Sequence, residues 1–329
     1  MSSQTWAHIS NGLVYSTIVV LAVALMAFAA DLAVGTGRKR SDLAKQRRSS
    51  LARQSVGTSG DTALVAAASP ETAAEQRWAR VGVSLTGLAA ALVVAAVITR
   101  GISAQRPPWG NMYEFTLTAV ATLLVIWVAM LPKRPEWRDL GVIVVLFNVL
   151  LLGVAVLVLY RESAELVPVL KSYWLWIHVT AAIIASSVFT VGSLASVMYL
   201  FAERYERRDI AGQTGGVRDA IGSRLPGSDQ LDKVAYQTIA FAFPLWFFAV
   251  VAGAVWAEDA WGRYWGWDPK ETWAFVTLVI YAAYLHARAT AGWRGRPAAI
   301  IAIIGLAAFL FSYFGVNIFF VGLHSYGGV

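Results

Sequence analysis

Long apolar runs alternate with short polar segments along most of this 329-residue chain. Each run approaches the roughly 20 residues that an α-helix needs to cross the hydrocarbon core of a bilayer. The pattern predicts an all-α polytopic membrane protein with about eight transmembrane helices. The predicted spans are residues 11–34, 78–99, 112–131, 139–160, 174–201, 236–257, 270–290 and 298–322.

Two longer polar stretches interrupt the apolar pattern. Residues 41–77 lack sustained apolar periodicity and are rich in Ser, Thr, Ala and charge, which is typical of a segment that forms no packed core. We therefore predict a mobile cytoplasmic loop over residues 35–77. The second stretch, residues 203–233, separates the fifth and sixth predicted helices, and we expect a short surface helix within it.

Composition and charge support the membrane class and indicate an orientation. Charged residues make up 14% of the chain, fewer than the roughly 25% usual for soluble domains. The net charge of +7 could suggest nucleic acid, but the basic residues cluster in loops beside the spans, where membrane topology explains them. We therefore predict no nucleic-acid partner. Residues 1–10 contain no Lys or Arg whereas RKR occurs at 38–40, which predicts that both termini are extracytoplasmic.

The chain contains no cysteine. It therefore cannot form a disulfide, bind a metal through a thiolate or use a thiol nucleophile. Any sulfur chemistry in its function must belong to a partner.

Indole side chains are concentrated in one polar segment between the sixth and seventh predicted helices. Tryptophans form belts at membrane interfaces, but belt residues are typically isolated at helix ends. Several rigid aromatic faces in one segment outside the membrane favour instead a large, flat, apolar ligand, and porphyrin fits that description. The group comprises Trp256, Trp261, Trp265, Trp267 and Trp273, and its centre reads WGRYWGWDPKE (261–271).

Asp268 also has a purely structural interpretation. Asp268, Pro269 and Glu271 occur in the order expected for a helix N-cap, the first helical position and the third, which together form a capping box. We therefore predict that the seventh helix begins at Pro269 and that helix capping is the main role of Asp268.

A porphyrin ligand requires axial ligands for its iron, and imidazole is a common one. His178 and His324 fall at the level of the Trp-rich segment, with Trp174 one helical turn before His178 on the same face. His286 lies about 25 Å farther along the seventh helix, at about 1.5 Å per residue. It therefore cannot ligate the same iron as His324.

The alternative for each histidine is a hydrogen-bonded residue at the membrane interface. An ionisable side chain at membrane depth is nevertheless a candidate functional group, and this applies to His286. A second chain would have to supply the opposite ligand of His286, because the remaining histidine, His8, is on the other side of the membrane.

The segment WGRYWGWDPKETWAF (261–275) resembles the Trp-rich "WWD" segment of the haem-handling membrane proteins of cytochrome c biogenesis, specifically the CcsA (ResC) type of System II. The resemblance begins near residue 107 and includes PPWGNMYEF (107–115), to which we assign no chemistry. Before it, we predict an N-terminal two-helix region over residues 1–106, which contains the loop at 35–77. The resemblance implies a haem-handling membrane domain over residues 107–329, which contains the WWD segment (256–273).

The resemblance also implies roles for individual residues. His178 and His324 correspond to axial ligands of haem b iron at an extracytoplasmic site. His286 corresponds to an earlier haem site that a ResB-type partner completes. No side chain is assigned a catalytic role, because the cofactor and the client thiols make the bonds. The implied haem-binding surface comprises Trp261, Trp265, Trp267 and Asp268, together with Trp174.

The implied function is export or presentation of haem b and, with the ResB-type partner, its thioether attachment to the CXXCH sequence of apocytochrome c. The chain would be a subunit of a cytochrome c haem lyase complex in the bacterial plasma membrane, served by a thioredoxin-like thiol reductase. Three alternatives stay open: a System I-type haem delivery protein, a haem b-bearing respiratory membrane subunit and a solute transporter.

Overall fold

The computed structural model describes residues 2–55, 70–162, 170–213 and 217–324. A π-helical turn, Phe311–Gly315, and a short α-helical turn, Val316–Phe319, follow the last long helix. No strand occurs in the described ranges, so the predicted all-α class is confirmed. The long helices are α1 (Ser3–Ser55), α2 (Pro70–Ala104), α3 (Met112–Met130), α4 (Gly141–Leu157), α5 (Tyr173–Ile210), α6 (Ser228–Trp261), α7 (Pro269–Thr290) and α8 (Arg296–Leu310).

Six helical segments among the described residues are long and apolar enough to cross a membrane. The helices α4 and α7 occupy the other two predicted positions, but α4 has only 17 residues and α7 contains Lys270, Glu271 and Arg288. The chain is thus a polytopic helical membrane protein, and the total of eight spans stays a prediction. The six segments are Ser3–Asp31, Arg77–Ala104, Met112–Met130, Tyr173–Ile210, Ser228–Trp261 and Arg296–Phe319.

The helices beside the first polar stretch are longer than the sequence pattern predicts. The helix α1 continues to Ser55 and α2 begins at Pro70, which corrects the predicted loop at 35–77 over most of its length. Ala, Leu, Lys, Arg and Gln favour helix without any apolar periodicity. Residues 56–69 of the predicted loop lie outside the described residues. In the second polar stretch, the expected short helix is Val217–Gly222.

The helices pack around buried clusters of apolar side chains. The most extensive helix contacts are those of α5 with α6 and of α1 with α2. The largest buried cluster joins side chains from most of the helices, among them Val14, Val93, Trp127 and Leu194. Residues on both sides of the predicted boundary at 106/107 therefore share one core, and the functional division at that boundary stays a prediction.

Several helix ends meet at one end of the bundle. The Ser3 hydroxyl donates to the carbonyl oxygen of Ser103 at 2.6 Å, which brings the start of α1 to the end of α2. Arg100, in the last turns of α2, binds Glu114 at the start of α3. The starts of α3, α5 and α7 and the ends of α6 and α8 meet here and enclose a cavity.

Candidate functional site

The cavity at this end of the bundle has a mainly apolar lining with several aromatic side chains. Its volume is about 200 Å³, less than the roughly 300–1000 Å³ of typical ligand pockets. Its flat aromatic side chains suit a planar, mostly apolar ligand that it holds without enclosing completely. The aromatic residues that line it include Trp109, Phe115, Trp246, Trp256, Trp265 and Phe309.

His178 lines the cavity from the second turn of α5. Its Nδ1 lies 2.7 Å from the carbonyl oxygen of Ala249 on α6. Since a carbonyl oxygen can only accept a hydrogen bond, Nδ1 carries the hydrogen, and the lone pair of the neutral ring is on Nε2. Gly253 permits this close approach, because a Cβ at that position would lie 2.7 Å from Nδ1 of His178.

His324 lines the cavity from the segment that follows α8, where Asp268 holds it. Its Nδ1 lies 2.8 Å from Oδ2 of Asp268, and the backbone N–H of Leu323 donates to Oδ1 at 2.8 Å. Burial alone would raise the pKa of Asp268, but the hydrogen bonds from His324 and Leu323 outweigh it and lower the pKa to about 2. The carboxylate is therefore ionised at neutral pH and accepts from Nδ1, which leaves the lone pair of the neutral His324 ring on Nε2.

Trp256 packs beside both histidines and is 1% exposed. Its ring is nearly parallel to that of His178, with centroids 6.3 Å apart, and meets the His324 ring edge-on at 5.8 Å. Trp261 packs edge-on against Trp256 at 4.8 Å and against His324 at 4.9 Å. The structure thus brings the two predicted outer histidines to one cavity.

The predicted capping box at the start of α7 is confirmed. The helix begins directly after Asp268, whose backbone N–H is accepted by the Glu271 carboxylate at 3.1 Å. Glu271 also accepts the N–H of Gly266 at 2.8 Å and pairs with Arg263 at 3.2 Å. One buried carboxylate therefore anchors the whole loop before the helix. Asp268 both caps α7 and binds the imidazole of His324.

The tryptophans of the predicted haem-binding surface lie in different surroundings. Trp265 lines the cavity, whereas Trp174, Trp261 and Trp267 are not among the described residues that line it. Trp174 packs against Tyr173 at 5.3 Å. Trp267 is 63% exposed and has a φ of +58°, a left-handed conformation that bulky residues rarely adopt. Backbone strain of this kind is concentrated at functional sites.

The segment 107–115, to which sequence reasoning assigned no chemistry, forms another wall of the cavity. Its Glu114 is fully buried and anchors the loop before α3. The Glu114 carboxylate accepts the N–H of Gly110 at 2.9 Å and pairs with Arg106 at 2.7 Å and Arg100 at 3.1 Å. The Asn111 side chain caps α3 by accepting the N–H of Glu114 at 2.9 Å.

The loops before α3 and α7 therefore follow one pattern, which is visible in RPPWGNMYE (106–114) and RYWGWDPKE (263–271). Each starts with Arg, contains Trp-Gly and an Asn or Asp helix cap, and ends with the Glu that binds the Arg and the Gly N–H. A comparison of the two segments with each other is the sequence signal that could have found this wall.

The other two histidines lie away from the cavity. His286 is exposed near the end of α7, where its backbone carbonyl accepts the Thr290 hydroxyl at 2.8 Å. His8 is exposed near the start of α1. Neither is among the described residues that line the cavity.

Comparison with known proteins identifies the family. The family described as "Cytochrome C assembly protein" matches residues 109–324, a range that contains the cavity residues named above. A cytochrome c biogenesis protein CcsA from Mesostigma viride is 36% identical over 252 residues, which cover 72% of this chain and 82% of the relative. The CcsA of Prochlorococcus marinus is 37% identical over 255 residues, which cover 72% of this chain and 80% of the relative. The CcsA of Synechocystis is 33% identical over 298 residues, which cover 76% of this chain and 89% of the relative. The chain therefore belongs to the cytochrome c assembly protein family, as a member of the CcsA type.

Proposed function

We propose that this protein binds haem b, presents it on the extracytoplasmic face of the membrane and, with a ResB-type partner, promotes its thioether attachment to apocytochrome c. This is the System II route of cytochrome c maturation. The observation that carries the proposal is that His178 and His324 line one cavity and that each packs beside Trp256. The names of the family and of the CcsA relatives support the general role in cytochrome c maturation.

The cavity residues suit haem better than a bare metal ion. Two imidazoles alone would leave a metal ion short of ligands, whereas haem iron has four porphyrin nitrogens and takes axial ligands from the protein. His178 and His324 would supply the axial nitrogens, and Trp265 would lie beside the porphyrin. The hydrogen bonds from Nδ1 to Ala249 and Asp268 orient the two rings and make Nε2 a better ligand. The stronger of these acceptors is the Asp268 carboxylate.

The chain's own contribution is binding and orientation. When bound, haem supplies two vinyl groups, and each client thiol adds its S–H across one vinyl C=C bond without any net oxidation. Because the chain has no cysteine, both thiols belong to the CXXCH sequence of the client, and a thioredoxin-like thiol reductase keeps them reduced. Holding the reactants together in the correct geometry is then the main source of acceleration, as expected for a subunit of a haem lyase complex.

The proposal includes eight membrane spans in the bacterial plasma membrane, with both termini and the cavity outside. The contact between Ser3 and Ser103, together with the position of His324, supports placing both chain ends at the cavity end of the bundle. His286, exposed near the opposite end of α7, is the proposed inner ligand through which haem b first binds. The ResB-type partner supplies the second ligand at that position.

The test is the absorption spectrum of the protein purified with its copurifying partner, oxidised and reduced. Wild type is compared with a His178→Ala/His324→Ala double variant and with His8→Ala as the control for an exposed histidine. We expect a low-spin bis-histidine haem spectrum in wild type and control, and its loss or conversion to high spin in the double variant. Unchanged ligation in the double variant would refute the outer site. A wild type free of haem would favour the solute-transporter alternative.

A further inference from the structure

A partly buried cation in the cavity has no role in the proposed iron ligation. Lys270, in the first turn of α7, is half-buried and lines the cavity. Among the described residues that line it, Lys270 is the only Lys or Arg. Its Nζ donates to the carbonyl oxygen of Ser312 at 2.9 Å and lies 5.5 Å from the ring centroid of Tyr313. The ammonium group keeps further N–H donors beyond the one that Ser312 accepts.

The carboxylates closest in sequence to Lys270 are engaged elsewhere. Glu271 pairs with Arg263, and Asp268 pairs with His324. Lys270 forms no direct salt bridge within the described part of the chain. A cation without a directly paired anion is unfavourable in a mainly apolar cavity. A carboxylate on the ligand would remove this cost through a charge-assisted hydrogen bond.

The acceptor of Lys270 lies in an irregular stretch of the helix. Ser312 and Tyr313 belong to the π-helical turn Phe311–Gly315, and such turns are rare and frequently occur at functional sites. The Tyr313 hydroxyl donates to the carbonyl oxygen of Met112 at 2.7 Å, which fixes this turn against the start of α3. The two groups that contact Lys270 therefore have a defined position in the cavity wall.

We infer that Lys270 binds a carboxylate of the cavity ligand and that, with haem b as the ligand, this carboxylate is a propionate. The inference rests on the proposed function, because it takes haem b as the ligand. Two axial histidines fix the iron but leave the porphyrin free to rotate about the axis that joins them. An ammonium group bound to one propionate would stop that rotation and set which vinyl edge faces the client. Lys270 is thus proposed as the residue that determines the orientation of the haem.

The test compares two ligands that differ only in the propionates. Full-length protein in detergent is titrated with ferric haem b and with its dimethyl ester, in which both propionates are neutral, and binding is followed in the Soret band. The variants are Lys270→Met and, as a matched control, Lys233→Met at an exposed lysine of α6. We expect Lys270→Met to weaken haem b binding about tenfold and to leave the affinity for the ester unchanged. The control should behave as wild type with both ligands.

Other outcomes separate the inference from the proposed function. Equal losses for haem b and ester in Lys270→Met would overturn the inference, because the substitution would then act through cavity shape. An unchanged affinity of Lys270→Met for haem b would also overturn the inference. Lys270 would then be expected to bind another anion, such as a lipid phosphate. Either result would leave haem binding by the wild type intact. A wild type that binds neither ligand would instead refute the proposed function, and the inference with it.

Discussion

Gly253→Ala tests the packing that holds His178 in position. A Cβ at residue 253 would lie 2.7 Å from Nδ1 and 2.8 Å from Cε1 of His178. Unstrained contacts between such atoms begin near 3.5 Å, so the imidazole must move by about 0.8 Å. A shift of that size along the bond would lengthen the 2.7 Å hydrogen bond to Ala249 to about 3.5 Å, beyond the range of a hydrogen bond.

Two opposing effects set the magnitude. Alanine stabilises a helix interior relative to glycine by about 0.5–1 kcal/mol. Leaving the His178 N–H buried without its acceptor costs about 1–3 kcal/mol. The larger effect is the lost hydrogen bond, and we expect the free energy of unfolding to fall by about 1 kcal/mol. Because the partner of Nδ1 orients the ligand nitrogen, haem affinity should fall by about 10- to 100-fold.

The assay needs a control that isolates helix propensity. Gly153→Ala in α4 provides it, because a Cβ there meets nothing within 4 Å. Thermal unfolding in detergent and haem titration are measured for both variants. Gly153→Ala should be neutral or slightly stabilising and should bind haem as wild type does. If Gly253→Ala matched this control in both measurements, His178 would have room to move, and the reasoning from the 2.7 Å contact would fail.

Three further predictions address the two loops and the strained tryptophan. Asp268→Asn keeps a good N-cap but loses the charge. Since folding lowers the Asp268 pKa from 3.8 to about 2, the melting-temperature difference from wild type should be constant above about pH 5 and shrink as the pH falls towards 2. A difference that does not change over this range would contradict the assignment. Glu114→Gln leaves the buried Arg100 without its carboxylate and should cost about 3–5 kcal/mol of unfolding free energy. Its control is Arg207→Ala, which breaks the exposed pair with Glu203 and should cost less than about 1 kcal/mol. Equal losses of unfolding free energy in the two variants would disprove the role of Glu114. Trp267→Gly releases about 1–2 kcal/mol of backbone strain and loses the edge-on contact with Trp265, worth about 0.5–1.5 kcal/mol. Unfolding free energy should therefore stay within about 1 kcal/mol of wild type while holocytochrome formation falls, and normal maturation by this variant would count against a functional origin of the strain.

The sequence by itself determined the features that depend on neighbours along the chain. Apolar runs of span length predicted helices that are present at each of the eight positions. The order of Asp268, Pro269 and Glu271 located the start of α7, because a capping box joins residues only three apart. The alternation of helices across the membrane put His178 and His324 on one side, and the structure brings both to one cavity. The pattern failed at 35–77, because a polar helix can form without apolar periodicity.

Only the tertiary structure decided which distant groups meet. The acceptor for His178 is the carbonyl oxygen of Ala249, 71 residues away, and the acceptor for Lys270 is that of Ser312. Every residue has such a carbonyl, so no local pattern marks the one that will be used. The Glu114 carboxylate is recognisable in the sequence, but its pairing with Arg100 depends on how α2 packs beside α3. Contacts of this kind are fixed by the packing of helices against each other, and the sequence of a single segment does not specify that packing.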